Sequence, residues 1–226
     1  MPPTPIDVYL EVGTKRVFAC AVDWPGWCRS GPDEGTALRE LLAYASRYAA
    51  IVRSARLGFT APTRLEQLRV VERLPGNATT DFGAIGVIPS ADRAATNPAQ
   101  CARLEKVLRA GWRALDAART RAKGKPLRKG PRGGGRELAA IIDHVGDADR
   151  GYLNALGWKL DLSAGGADRA VEIREAIIEG LRASARGEIP AKGPRGGDRW
   201  PARYFARRVV WHTIAHAWEI ERRILD

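Results

Sequence analysis

The chain of 226 residues contains three histidines, and two of them have a spacing typical of metal-binding helices. His212 and His216 are four residues apart, so on a helix their imidazoles share one face, roughly 6 Å from each other. His144 lies in another segment of helical periodicity and falls on its predicted inward face. A single buried histidine is usually hydrogen-bonded in a core. Here all three histidines fall on predicted inward faces. This favours a shared metal ion, because burying unpartnered imidazoles costs on the order of a few kcal/mol each.

Three histidine ligands leave at least one coordination position open, which is typical of a catalytic ion. An ion there lowers the pKa of a bound thiol or water and generates a nucleophile near neutral pH. Imidazole suits zinc, nickel, copper and iron alike, and we expect zinc or nickel. Asp147 and Glu219 follow His144 and His216 by one turn and are the candidate general bases or acceptors of imidazole N–H groups. Salt bridges to neighbouring arginines are the alternative for both carboxylates.

Three arginines are candidates for binding an anionic substrate or cofactor. Arg208 lies one turn before His212 on the same helix face and could hold an anionic group. Arg132 and Arg195 belong to a repeated basic segment, KGPRGG, which occurs at 129–134 and again at 192–197. Each copy precedes a histidine-bearing helix. Solvated surface arginines in ordinary Gly-rich loops are the alternative.

The elements that must position these residues are long amphipathic helices. Apolar periodicity and caps predict four of them, at about 98–122, 136–156, 167–186 and 202–225. Packing their apolar faces together predicts an up-down-up-down four-helix bundle. In that topology the second and fourth helices run parallel, so both KGPRGG segments would form a basic rim at one end of the metal pocket.

The first part of the chain follows a different pattern. Alternating residues predict strands at 6–13 and 16–22, a helix follows from about residue 34 to 56, and 68–74 reads as another strand. Residues 81–89 are apolar but glycine-rich, which indicates an irregular segment or linker. The sequence therefore predicts an α+β protein with an N-terminal strand-strand-helix domain and linker at 1–95 and the helical domain at 96–226.

The composition limits the remaining possibilities. A formal charge of +11 suggests nucleic acid, but much of the excess lies in the two Gly-rich connections, so we consider such binding less favoured. Three scattered cysteines predict reduced thiols. No segment approaches about 18 uninterrupted apolar residues and the start lacks signal-peptide features, so we expect a cytoplasmic protein without membrane association.

Residues 97–226 resemble the DinB/YfiT superfamily of four-helix bundles. The matching stretches are IIDHVGDA at 141–148 and WHTIAHAWE at 211–219. The resemblance implies one metal-binding histidine on the second helix and an HxxxH pair on the last, here His144, His212 and His216. It also implies a metal-dependent transferase or isomerase that uses a low-molecular-weight thiol and an electrophilic substrate, and a homodimer is possible.

Residues 6–56 resemble a HicB-like antitoxin domain in their strand-strand-helix order and in the proline-glycine stretch VDWPGWCRSG at 22–31. No DNA-binding tail follows, so the resemblance favours a scaffold, dimerisation or lid role over antitoxin activity. Two alternatives to an enzyme stay open: an antitoxin-like or nucleic-acid-binding module, and a structural protein whose metal site is closed by Glu219.

Overall fold

The structure, a computed structural model, describes residues 5–129, 135–160 and 169–225. Contacts within the chain separate two compact units, Met1–Ala94 and Ala95–Asp226, one residue away from the boundary predicted from the sequence. We call their described parts the sheet unit and the helical unit. The strands are β1 Ile6–Val12, β2 Val17–Ala21, β3 Cys28–Gly31 and β4 Leu68–Pro75, and the helices are α1 Glu34–Ala43, α2 Ala45–Val52, α3 Ala78–Phe82, α4 Pro98–Ala122, α5 Leu138–Leu156, α6 Arg169–Ala185 and α7 Ala202–Arg223.

The sheet unit is built on a four-stranded mixed sheet in the order β3-β2-β1-β4. β1 and β2 form the predicted hairpin and pair antiparallel, with Val8 opposite Ala21 and Val12 opposite Val17. β4 joins the other side of β1 in parallel. The α+β class predicted from the sequence is therefore present. The short strand β3 was not predicted, because its four residues show no apolar alternation.

Glu11 shows that β1 is covered on both faces. The alternation of β1 predicts Glu11 on the opposite side from Val8, Leu10 and Val12, yet it is fully buried. Its carboxylate accepts hydrogen bonds from the Thr80 hydroxyl and from the backbone N–H groups of Gly86, at 2.8 Å, and Val87, at 3.2 Å. The glycine-rich segment expected to be irregular thus packs across the sheet and satisfies a buried carboxylate.

The cysteines differ from the sequence expectation of reduced thiols. β2 and β3 pair so that Cys20 lies directly opposite Cys28, and the two are joined by a disulfide. Cys101 on α4 is a free, buried thiol. The pairing depends on β3, the strand that was missed, so the sequence spacing alone did not reveal it.

The helical unit begins with a well-defined cap. The Asn97 side chain accepts a hydrogen bond from the backbone N–H of Gln100, whose own side chain accepts one from the Asn97 backbone. Pro98 occupies the first turn, where a missing N–H costs nothing. The four long helices start and end within a few residues of the predicted limits. None of the helices in the described ranges is long and apolar enough to cross a bilayer.

Side-chain pairs fix the direction of each helix. α4 and α7 run parallel, since Gly111 faces Ile214 and Arg121 pairs with Glu221 further along both helices. α4 and α6 run antiparallel, because Arg182 pairs with Glu105 while Arg174 pairs with Asp116. The apolar core between α4, α5 and α7 is formed by Leu115, Ala118, Ala122, Leu127, Ile141, Val145, Ala217 and Ile220.

The predicted up-down-up-down order was wrong. α5 runs antiparallel to α7, because the Trp200 N–H before α7 donates to the carbonyl of Ala155 at the end of α5, whereas His144 near the start of α5 meets His216 far along α7. α5 is instead parallel to α6, with Gly146 beside Ile173 and Gly180 beside Leu156. Helical periodicity identifies which face is buried but not the direction of the neighbouring helix.

Candidate metal centre

Two antiparallel helices bring the three histidines together. His144 comes from α5, and His212 and His216 come from consecutive turns of α7, as their spacing predicted. One nitrogen from each imidazole lies within 4.8 Å of the others. The ring centroids are 4.5–5.1 Å apart, and the planes are steeply inclined to one another, at 67–84°. The three side chains are therefore close enough to bind one metal ion.

The facing atoms are the Nε2 nitrogens. His212 Nε2 lies 3.2 Å from His144 Nε2 and 3.1 Å from His216 Nε2. Ligand nitrogens about 2.0–2.1 Å from a tetrahedral ion are roughly 3.3 Å from one another. The two distances from His212 Nε2 therefore fit a tetrahedral ion bound through Nε2.

Glu219 determines which nitrogen of His216 carries the proton. Its Oε2 lies 2.7 Å from His216 Nδ1, and its Oε1 accepts a hydrogen bond of 2.8 Å from Arg223 Nη1. These two hydrogen bonds, with that from His216 the stronger influence, lower the pKa of Glu219 to about 2. An ionised carboxylate can only accept, so His216 carries its proton on Nδ1 and directs an Nε2 lone pair towards His212.

The protonation of His212 also fits a cation at the centre. Burial, followed by the neighbouring histidines, lowers the pKa of His212 to about 2, so this imidazole is neutral. Burial is also the main reason that the pKa of His144 is lowered. His212 Nε2 has either one proton or one lone pair in the ring plane, so it can form a full hydrogen bond with only one of its two nitrogen neighbours. A shared cation would accept a lone pair from all three nitrogens and satisfy both contacts.

Within the described residues, no further His, Cys, Asp or Glu joins the three histidines as a potential metal ligand. Glu219 does not close the site, because it contacts His216 at Nδ1, across the ring from Nε2. His144 and His216 are both partly exposed, whereas His212 is buried. This arrangement can therefore hold an ion by three nitrogens and leave it accessible to a further ligand.

Arg208 and Tyr152 form the wall beside His212. The Tyr152 ring lies 5.8 Å from the His212 ring, centroid to centroid, and its hydroxyl accepts a hydrogen bond of 3.3 Å from Arg208 Nη2. Burial raises the pKa of Tyr152, so its hydroxyl stays protonated. Arg208 thus adjoins the histidine cluster, as its spacing from His212 predicted.

The other predicted site residues lie elsewhere or outside the described ranges. The Asp147 side chain is 70% exposed and faces Arg150 and Arg169 at 3.7 and 3.9 Å, so it forms surface ion pairs and does not support an imidazole. Arg195 is exposed in a turn before α7. Arg132 lies outside the described residues.

The first KGPRGG segment of the predicted basic rim lies outside the described residues, except for Lys129. Gly135, which directly follows the first KGPRGG segment, lies beside Arg223 at the end of α7, whereas the second segment precedes the start of α7. Gly135 and the second segment therefore adjoin opposite ends of α7, a helix of 22 residues. The cause is the antiparallel packing of α5 and α7.

Two residues of α5 were missed. Tyr152 continues the i, i+4 series that contains His144 and Ala148. Asp149 is 4% exposed and lies on the buried stripe that includes Val145 and Leu153. Extending the helical repeat in steps of four would have found Tyr152. An acidic residue on an apolar stripe was the available signal for Asp149.

Comparison with known proteins identifies no relative. The chain matches no protein-family model, no curated protein and no solved structure. The resemblances to DinB/YfiT and HicB-like proteins therefore stay predictions from short motifs and element order.

Proposed function

We propose that this chain binds zinc or nickel through His144, His212 and His216 and acts as a metal-dependent transferase or isomerase on an electrophilic substrate, with a small thiol as cosubstrate. The observation that carries the proposal is the convergence of three imidazole nitrogens within 4.8 Å on a partly exposed site with no fourth protein ligand among the described residues. The DinB-like motifs that contain the same three histidines support the choice of reaction class.

Each residue has a defined task in this proposal. The three Nε2 atoms hold the ion, which when bound would lower the pKa of a thiol or water in its open position. Glu219 keeps the Nδ1 proton on His216 and fixes the orientation of that ring. Arg223 in turn holds Glu219, and its Nε donates to the backbone carbonyl of Arg128, at 2.9 Å. This chain of contacts connects the ligand to the framework of the helical unit.

A closed structural site is the competing interpretation, and the position of Glu219 argues against it. A carboxylate that already accepts hydrogen bonds from His216 and Arg223 would have to break both to become a fourth ligand. An open position favours catalysis or substrate binding over a purely structural ion.

Metal analysis of the untagged protein tests the first part of the proposal. We expect about one transition-metal ion per chain, as purified or after loading with Zn²⁺ or Ni²⁺. Single His→Asn variants of the three ligands should each lose most of this metal while keeping the helical circular dichroism. Absence of stoichiometric metal in the loaded wild type would overturn the proposal.

Cobalt substitution tests the open position. Co²⁺ bound by three histidines should give visible absorption bands that change when cysteine is added as a small-thiol probe, together with a new thiolate-to-cobalt charge-transfer band. A spectrum that cysteine leaves unchanged would indicate a closed site and would remove the thiol from the proposal.

A further inference from the structure

Arg208 is a buried cation without a matching anion. It is 7% exposed, and its Nε and Nη1 are buried without a hydrogen-bond partner. Of the five N–H donors of a guanidinium, only one on Nη2 is used, by the Tyr152 hydroxyl. Within the described ranges no carboxylate pairs with it. Taking such a charge out of water costs several kcal/mol unless an anion or other acceptors compensate.

The surroundings of Arg208 are aromatic. Its guanidinium carbon lies 5.1 Å from the ring centroid of Tyr152, 5.4 Å from that of Trp211 and 5.6 Å from that of Trp200. These π faces attract a cation but cannot accept the N–H groups as an oxyanion does. The guanidinium is therefore surrounded by aromatic rings, while most of its hydrogen-bond donors have no acceptor.

The position of Arg208 relates it to the histidine cluster. Arg208 precedes His212 by one turn of α7, and Tyr152 contacts both side chains. Because the Tyr152 hydroxyl accepts from Arg208, its own proton is available to an oxyanion lying against the guanidinium. Tyr152 and Trp200 are partly exposed and their ring centroids lie 5.4 Å apart, so two of the rings that border Arg208 also reach the surface.

We propose that Arg208, with the Tyr152 hydroxyl, binds the carboxylate of a small organic acid and thereby anchors the substrate of the neighbouring histidine site. One guanidinium and one neutral hydroxyl balance a single negative charge, which fits a carboxylate better than a phosphate dianion. The aromatic rings around the guanidinium suit an apolar or flat body attached to that group. The inference rests on the proposed function only in assigning this acid to the metal site as its substrate.

Benzoate binding to the metal-free protein tests the inference separately from metal chemistry. We expect benzoate to change the tryptophan fluorescence and to bind saturably, because Trp200 and Trp211 border Arg208. Arg208→Gln should weaken benzoate binding about tenfold or more, the loss expected for a hydrogen bond to a charged group. Arg119→Gln, which removes an exposed arginine of α4, is the matched control and should leave the dissociation constant unchanged.

Tyr152→Phe provides a second variant in case Arg208→Gln does not fold. It keeps the ring against His212 and removes only the hydroxyl, so the dissociation constant for benzoate should rise by about threefold or more. Equal benzoate affinity in wild type and both variants would overturn the proposal, as would inorganic phosphate binding more tightly than benzoate. If the wild-type protein binds benzoate but cannot be loaded with metal, the proposed function is refuted while the carboxylate site stands.

Discussion

His216 and Glu219 form a hydrogen-bonded pair, 2.7 Å from Nδ1 to Oε2, on the side of the imidazole away from the histidine cluster. The carboxylate is three residues after the histidine, so one helical turn supplies both the ligand and the group that orients it. Arg223, one turn further on, binds the other carboxylate oxygen. The orientation of one ligand is thus encoded within α7 alone.

Replacing Glu219 should weaken metal binding. Glu219→Gln keeps the shape of the side chain but removes its charge and can turn an N–H towards His216, so we expect metal affinity to fall by about 10- to 100-fold. Competition with a chromophoric chelator measures the affinity. Glu221→Gln is the control, since Glu221 lies on the same helix and pairs with Arg121 instead. Equal affinity in Glu219→Gln and wild type would refute the orienting role.

Arg208 should reduce the stability of the metal-free protein. Its desolvation costs several kcal/mol, and ring faces more than 5 Å away offset only part of that cost. Arg208→Met keeps a long side chain without the charge, and we expect it to raise the free energy of unfolding in urea by about 1 kcal/mol or more. A comparable decrease would show that the guanidinium is a net stabilising contact.

Asp149 should make the stability of the helical unit depend on pH. Its carboxyl is fully buried, and burial raises its pKa from the ordinary 3.8 to about 8, against an opposing influence of Arg174. Between these two pH values the folded state keeps a proton that the unfolded state releases. This carboxyl therefore lowers stability progressively as pH rises from about 4 to about 8 and adds no further loss above that range.

Asp149→Asn removes the titration while preserving the shape of the side chain. At about pH 7.5 we expect the free energy of unfolding of the variant to be at least about 1 kcal/mol higher than that of wild type. This difference should become smaller as the pH is lowered towards about 4. Urea titrations across this range provide the measurement. A difference that does not vary with pH would show that Asp149 is ionised in the fold or exposed to solvent.

Replacement by alanine should have opposite effects on stability at Gly151, within α5, and at Gly157, directly after it. Gly157 ends the helix with φ of +92°, and an added Cβ would lie 2.4 Å from Arg199 Nε. Gly157→Ala should therefore destabilise the fold by about 1 kcal/mol or more. Gly151 is an exposed residue within the helix with nothing within 4 Å of an added Cβ, so Gly151→Ala should stabilise by roughly 0.5–1 kcal/mol. Thermal melts of the two variants measure both effects. A change of melting temperature in the same direction in both variants would contradict the role of Gly157 as the helix C-cap.

The histidine cluster could be predicted from sequence because each of its members depends on local periodicity. Helical spacing alone places His212 and His216 on one face, and the apolar residues around them identify that face as buried. Glu219 follows from the same repeat. By contrast, Asp147 also stands one turn after its histidine, but its helix turns it outward to Arg150 and Arg169. The spacing from the histidine alone therefore did not show that Glu219 contacts an imidazole whereas Asp147 lies on the surface.

Features that depend on long-range packing were not predictable. The direction of α5 relative to α7 is set by how distant segments meet, so the expected up-down-up-down order was wrong. Glu11 illustrates the same limit in the sheet unit, because its burial depends on N–H groups of Gly86 and Val87, 75 and 76 residues later in the chain. β3 pairs with β2 although its own sequence carries no strand pattern.

An ion at the histidine cluster would act as a removable cross-link between α5 and α7. His144 and His212 are 68 residues apart in the sequence, so the ion would close a long loop and add to the apolar packing and hydrogen bonds that already join α5 and α7. Sliding α5 by one turn along α7 would separate His144 from its partners by about 5.4 Å and abolish the site. Metal supply would then control the register of these two helices, and amide hydrogen exchange in α5 would slow on loading and recover on chelation.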